Sequence, residues 1–310
     1  MTDINKRTTC VACGNENNNN VFTASEKMFR MWNEFDYLEC SKCKSLQIIT
    51  PPEDLSEYYV SEYYAFQALN SSDKLRNIFK RLRWLIYKWG IYKSSYPEYL
   101  RWLYKLKASE YDTIADIGCG NGQLIYEMRC SGFKKLYGFD PYLNEEVDDN
   151  GLRLYRVDIT GVHGKYDIVM LNHSFEHMEY PQLVWQHLNE IVKTGGKLLI
   201  RLPVTDGEVW KTERTDWFQL DAPRHFFIPS VNAMAEMGRK NGFNLYLSEF
   251  DSTESQFMFT FLYKEGKSFI NADLNSEFSK EERKKYNRMA DKYNIDRKGD
   301  QVCLYYEKVE

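Results

Sequence analysis

Hydrophobic and polar positions change their rhythm along the chain. From Leu75 the apolar residues Leu75, Ile78, Phe79, Leu82, Leu85, Ile86 and Trp89 recur at helical spacing, which predicts an amphipathic helix. Lys74, Lys80, Arg81, Arg83 and Lys88 fill much of its remaining circumference, and a second helix is predicted over Tyr96–Lys107. From Tyr111 the helical period gives way to short, β-branched apolar runs alternating with helices. Thr113–Ile117, Lys135–Phe139, Leu152–Val157, Tyr166–Leu171 and, after the turn Gly195-Gly196, Lys197–Pro203 read as strands. Gln123–Cys130, Gln182–Lys193 and Ser230–Asn241 read as helices. Phe243–Phe250 is expected to be a sixth strand. Gly299-Asp300-Gln301 opens an alternating run through Val302, Leu304 and Tyr306, expected to be a seventh, antiparallel one. Gln256–Tyr263 fits a strand or a helix, and Glu277–Tyr293 is a charged helix. This alternation predicts an α/β fold: a doubly wound, seven-stranded, mostly parallel sheet with helices on both faces. Ligands of such sheets lie at the carboxyl ends of the strands, where the strand order reverses.

The first 50 residues follow another pattern. Cys10-x-x-Cys13 and Cys40-x-x-Cys43 are two tight turns that bring four thiolates together, the donor set of a closed, structural zinc site. Gly14 lets the backbone curl after the first pair. Val21–Leu38, carrying Phe22, Phe29, Trp32, Phe35 and Tyr37, has room for one or two strands. The competing reading, two disulfides, fits poorly with three further unpatterned cysteines, Cys119, Cys130 and Cys303, and a polar N-terminus without an apolar leader. The expected organisation is a zinc ribbon at 1–50, a helical connector or lid at 51–110, and a ligand-binding α/β domain at 111–310 with an insertion at 251–298 covering its site.

Composition narrows the partners. The 310 residues carry 41 Lys+Arg against 45 Asp+Glu, a net charge of −4, so a protein held chiefly to nucleic-acid phosphates is not expected. Mean hydropathy is −0.60 and no apolar run approaches a membrane span, which leaves a cytoplasmic protein as the expectation. The basic, aromatic helix from Leu75 suits an anionic membrane surface, a phosphate-bearing substrate or, more plainly, a role packing the domains together with its basic face in water.

The glycine loop carries the chemistry. Asp116-Ile117-Gly118-Cys119-Gly120-Asn121-Gly122 joins a strand to a helix, and Gln123 stands where a dinucleotide-binding loop would place a third glycine. With Gly138-Phe139-Asp140, Val157-Asp158 and Tyr166-Asp167-Ile168-Val169 following in order, residues 111–250 resemble a class I S-adenosylmethionine-dependent methyltransferase. The resemblance implies that Asp116, Gly118, Cys119, Gly120 and Gly122 surround the methionine part of the cofactor. It implies that Asp140, before Pro141, accepts from the ribose hydroxyls, and that Asp158 accepts from the adenine amino group while Ile159 packs on the ring. Asn172 borders the same site.

Methyl transfer from a sulfonium needs positioning, and a base only where the acceptor loses a proton. After the fourth strand, Asn172-His173-Ser174-Phe175-Glu176-His177 resembles the Glu-His segment of small-molecule methyltransferases. His177 is the first candidate base and His173 the second. Glu176 and His177 as ligands of a divalent metal is a weaker alternative. Asp221-Ala222-Pro223-Arg224-His225 resembles a segment of methyltransferases of surface-polysaccharide and sugar biosynthesis. It implies Arg224 as an anion clamp and His225 as a third base, against a structural reading in which Arg224 holds Asp221. A zinc module joined to such a core resembles the nucleotide-sugar methyltransferases. The expected acceptor is therefore a small, sugar-linked molecule methylated at oxygen or carbon. The alternatives are an RNA methyltransferase that grips RNA with the ribbon, and a non-catalytic adaptor.

Overall fold

The computed structural model describes residues 7–59, 69–91, 96–149, 151–270 and 272–309. Most of the Tyr-rich stretch after Pro51-Pro52 lies outside them. The N-terminal segment forms a hairpin, β1 (Asn20–Ser25) with β2 (Glu34–Glu39), extended by β3 (Leu46–Ile48). Helices α1 (Lys74–Lys88) and α2 (Glu98–Lys105) lead into the main sheet.

There β4 (Thr113–Ile117), α3 (Gln123–Cys130) and β5 (Lys135–Phe139) fall on the expected boundaries. The short strand β6 (Val147–Asp149) folds back antiparallel on β7 (Leu152–Tyr155). Then come β8 (Tyr166–Asn172), α4 (Pro181–Ile191) and β9 (Val192–Pro203). Helix α4 ends two residues early because β9 already pairs at Val192 with Tyr166. The strand then bulges through Gly195, at φ +75°, and resumes pairing at Lys197. Helix α5 (Glu208–Glu213) precedes the strand β10 (Phe227–Ile228), followed by α6 (Val231–Lys240), capped by Ser230, and β11 (Phe243–Phe250). The ambiguous Gln256–Tyr263 run is helical, within α7 (Ser255–Lys264). The charged helix divides into α8 (Leu274–Glu277) and α9 (Lys280–Ile295), because Ser279 and Glu282 form a reciprocal capping box that starts α9 anew. β12 (Gln301–Lys308) closes the chain.

The main sheet runs β11-β12-β9-β8-β4-β5-β7-β6. The last strand enters antiparallel between β9 and β11, as expected, and β6 adds an eighth strand at the far edge. Period-two alternation divides the interior. Ile114, Ile168, Met170, Leu199, Cys303 and Tyr305 face one core with α1–α3. Ala115, Val169, Leu171, Leu198, Ile200 and Leu304 face the other, with α4 and α6.

The Cys-rich segment shares that second core through Cys10, Ala12, Leu38, Cys40 and Ile49. Its sheet is completed by β10, which pairs with β3 from some 180 residues away, Phe227 opposite Gln47 and Ile228 opposite Leu46. Ser230 Oγ donates to the Cys43 carbonyl at 2.7 Å. Segment and domain thus share both a sheet and a core.

Candidate active site

The strand order reverses at β4. Chain direction takes β5 and β7 to one side and β8 and β9 to the other, which opens a crevice at the carboxyl ends of β4 and β8. A cleft of about 810 Å³ lies there, within the range of small-molecule and cofactor sites. Its walls include Asp116, Gly118, Cys119, Gly120, Asp140, Pro141, Asp158, Ile159, Asn172, His173 and His177.

Local structure explains the glycines. Gly118 sits at φ +74°, and a Cβ there would meet the Ser174 Cβ at 2.3 Å. The loop can pass β8 only without a side chain. Gly122 does not wall the cleft. It starts α3 at φ +80°, where a Cβ would strike Leu154 at 2.6 Å, so its place is in the turn.

Three carboxylates have distinct surroundings. Asp116 is buried, and its Oδ1 has no hydrogen-bond partner among the described residues. Burial, and then the nearby charge of Asp140, push its pKa up to about 7. Asp140 is raised by burial and is held at the tip of β5 by two backbone donors, Gly120 N to Oδ2 and Tyr142 N to Oδ1, each at 2.8 Å. A carboxylate has lone pairs for about four donors, so it retains capacity for two hydroxyls. Asp158 caps a short 3-10 turn, accepting from Thr160 N at 2.9 Å and Gly161 N at 3.2 Å through Oδ1 alone. A buried orphan acceptor, a glycine loop and a carboxylate on the next strand fit a cofactor with an ammonium, an apolar-flanked sulfonium and a ribose.

The three histidines part company. His173 is on the cleft wall, with Nδ1 3.1 Å from Glu176 Oε1. Burial would raise the Glu176 pKa, but the His173 hydrogen bond and the neighbouring histidines hold it below the ordinary carboxylate range. An ionised Glu176 can only accept, so the ring donates Nδ1–H to it and turns Nε2 away from it. His177 is also on the wall, with Nδ1 3.0 Å from the Arg224 carbonyl and 3.2 Å from the Tyr59 hydroxyl. Burial, then His225, lower its pKa to about 4, which leaves it neutral and a weak base. His225 is not on the wall. It lies behind His177 at a ring separation of 4.7 Å, with Nδ1 donating to the Gln219 carbonyl at 2.7 Å. Glu176, His177 and His225 place one ligand-capable atom each within 4.8 Å of one another, and each already has a protein partner.

Arg224 is no anion clamp. It is fully buried, and Nη2 lies 2.6 Å from Asp221 Oδ1 and 2.8 Å from Glu26 Oε1, while Nη1 donates to the Tyr58 carbonyl at 3.1 Å. No described residue of 251–298 walls the cleft. Tyr59, Tyr142 and Tyr180 do, with Tyr59 and Tyr142 stacked at 5.8 Å. Tyr142 follows Asp140-Pro141 closely enough for the sequence to have signalled it. Tyr59 and Tyr180 carry no such mark.

Away from the cleft, Cys10, Cys13, Cys40 and Cys43 converge, with all four Sγ within 4.8 Å. Cys10–Cys43 is 3.5 Å and Cys13–Cys40 is 3.6 Å, too long for disulfides at about 2.05 Å and close to the roughly 3.8 Å edge of a Zn–S tetrahedron. The two turns repeat each other: Cys10 N bonds Asn15 O and Cys40 N bonds Ser45 O, with Gly14 and Lys44 both left-handed. The donor set and its geometry fit zinc.

A methyltransferase-domain family model matches residues 93–248, half of the chain, and the chain belongs to that family. Its mostly parallel sheet is the Rossmann-like methyltransferase fold. Curated relatives include a tRNA U34 carboxymethyltransferase of Desulfotalea psychrophila, 25% identical over 42% of this chain and 44% of its own length. A protein of the same name from Helicobacter pylori is 25% identical over 50% of this chain and 61% of its own length. The chain thus spans about half the length of the curated relatives it matches. Among solved structures, the magnesium protoporphyrin IX methyltransferase of Synechocystis PCC 6803 aligns at TM-score 0.46 and 13% identity, covering 82% of this chain and 95% of that one. The curated relatives named here are tRNA-modifying enzymes by name, not nucleotide-sugar enzymes.

Proposed function

We infer that the chain methylates a planar ring acceptor, a nucleobase in RNA, and that His173 receives the proton the acceptor gives up. The observation that carries this reading is an aromatic wall in the same cleft as a histidine–carboxylate pair. Tyr142, exposed on the cleft wall and stacked on Tyr59 at 5.8 Å, offers a ring face on which a splayed-out base can stack, in the cleft that also holds His173 and its partner Glu176. The names of the curated relatives support the RNA class.

The cofactor, when bound, supplies a methyl group on a sulfonium. Asp116 Oδ1 would accept from its ammonium, the Gly118–Gly120 backbone would hold its methionine part, Asp140 would take the ribose hydroxyls, and Asp158 with Ile159 would hold the adenine. The proton given up by the acceptor would pass to His173 Nε2, and Glu176 would balance the charge formed on the ring. His177, neutral, orients the acceptor through Nε2. The four cysteines would hold zinc as a structural ion, fixing the N-terminal turns beside β10.

A second reading keeps a small sugar-linked acceptor, favoured by the net charge of −4, which gives RNA little overall attraction. Calorimetric titration with S-adenosylmethionine, beside Asp140→Asn, tests the cofactor site. Labelled methyl transfer to bulk tRNA and to a nucleotide-sugar mixture then separates the acceptors. Label in tRNA, reduced by about 10²–10⁴-fold in His173→Ala at unchanged cofactor affinity, is the expected result. Label in the nucleotide-sugars alone moves the second reading forward, and no cofactor binding overturns both.

A further inference from the structure

Helix α1 is mounted the wrong way round for a packing helix. Its apolar stripe, Leu75, Ile78, Phe79 and Leu82, follows the i, i+3, i+4, i+7 rule, yet these residues are 50–70% exposed. Trp89 and Ile91, just beyond the helix, continue the patch at 70% and 71%. The expectation that this stripe packs the domains together, with the basic face in water, is reversed.

The orientation is fixed by polar contacts on the opposite face. Lys80 binds Glu127 at 2.6 Å and Lys88 binds Glu110 at 2.9 Å. Trp84 is buried and donates to Glu110 at 2.7 Å, and Tyr87 is buried beside it. Rolling the helix to hide its stripe would break both ion pairs and expose Trp84. No described residue covers the stripe.

Basic residues border it on both sides. Arg76 and Arg83, one heptad apart, line one edge, and Lys74 and Arg81, likewise spaced, line the other. The helix contains no acidic residue. Large exposed apolar area rimmed by one sign of charge marks an interaction surface. A second copy of this chain laid stripe to stripe would bring cationic rims together with no acid in either helix to answer them. An RNA would find aliphatic Leu75, Ile78 and Leu82 where base stacking needs rings. Acyl chains under anionic headgroups satisfy both the stripe and its rims.

We propose that α1 lies in the interface of an anionic phospholipid bilayer, with Leu75, Ile78, Phe79, Leu82 and Trp89 among the acyl chains and the exposed Lys74, Arg76 and Arg81 at the phosphates, while Arg83 turns inward to the Tyr99 hydroxyl. This seats the enzyme on a membrane surface as a peripheral protein, since no helix among the described residues is long and apolar enough to cross one. The surface lies outside the cleft walls, so it stands independently of the acceptor assignment.

The test uses the full chain with vesicles of phosphatidylcholine alone and of phosphatidylcholine with phosphatidylglycerol. Cosedimentation with the phosphatidylglycerol vesicles, weakened by salt, is expected, together with a blue shift of tryptophan emission that Trp89→Phe removes. The Phe79→Asp/Leu82→Asp variant is expected to lose at least about tenfold in partitioning, while its calorimetric affinity for S-adenosylmethionine stays at the wild-type value and verifies the fold. Lys74→Glu/Arg81→Glu is expected to lose binding to the anionic vesicles as well. The proposal is overturned if wild-type protein ignores the anionic vesicles, if the Phe79/Leu82 variant binds them as tightly as wild type, or if Phe79→Asp merely dissolves a dimer of a protein that binds no vesicle.

Discussion

Arg224 is the residue whose role the tertiary structure changes most, and its replacement gives a sharp test. Arg224→Met keeps much of the volume and removes the guanidinium. Glu26 is fully buried and the Asp221 side chain is only 7% exposed, so both carboxylates would remain inside without a counter-charge. The Tyr58 carbonyl would also lose its donor. Breaking a buried ion network by removing one partner costs about 3–5 kcal/mol. At an m-value of about 3 kcal/mol/M that is a fall of roughly 1–1.7 M in the urea midpoint. The loss should not be confined to one domain, since Glu26 belongs to the Cys-rich segment and Asp221 to the loop before β10. pH supplies a second check. Burial tends to raise Asp221, but Arg224 holds it below its ordinary value, so its stabilising contribution is present above about pH 4 and is lost on acidification. In the variant, burial without Arg224 raises Asp221, so the gap between wild type and variant should begin to narrow above about pH 4 as pH falls and narrow further below it. Arg224→Lys should not rescue, because one ammonium cannot reproduce a planar fork that reaches Asp221, Glu26 and the Tyr58 carbonyl together. An unchanged urea midpoint, with activity lost only through the acceptor KM, would refute the structural role and restore the anion clamp.

Two further outcomes are expected. Asp116, raised to about 7, should lose its proton when a cationic cofactor reaches its orphaned Oδ1. Below about pH 7, binding of S-adenosylmethionine should then release protons and tighten as pH rises, as calorimetry in buffers of different ionisation enthalpy would show. Asp116→Asn should abolish both effects, and a wild-type proton count of zero would defeat the assignment. The purified chain should carry one zinc per molecule by elemental analysis. Cys40→Ser should leave it substoichiometric with a lower thermal midpoint, whereas a full-length protein that stays zinc-free under zinc supplementation would rule out the metal.

Much of this protein was legible in one dimension. The strands Thr113–Ile117, Lys135–Phe139 and Phe243–Phe250 follow from local apolar runs with turn residues at their ends. So do the glycine loop and the final antiparallel strand. The Cys-x-x-Cys turns likewise announce convergence, because each turn is closed by its own backbone hydrogen bonds. What sequence could not supply was the identity of partners far along the chain. Arg224 finds Glu26 198 residues away, β3 finds β10, and Tyr59 reaches His177 118 residues on. His225 passed for a cleft residue until the fold set it behind His177. The periodicity of α1 established that an apolar stripe exists, since side-chain direction depends only on helical geometry. It could not establish which face is covered. That was decided by Glu110 and Glu127, whose carboxylates hold Lys88 and Lys80 against the body and leave the stripe in water.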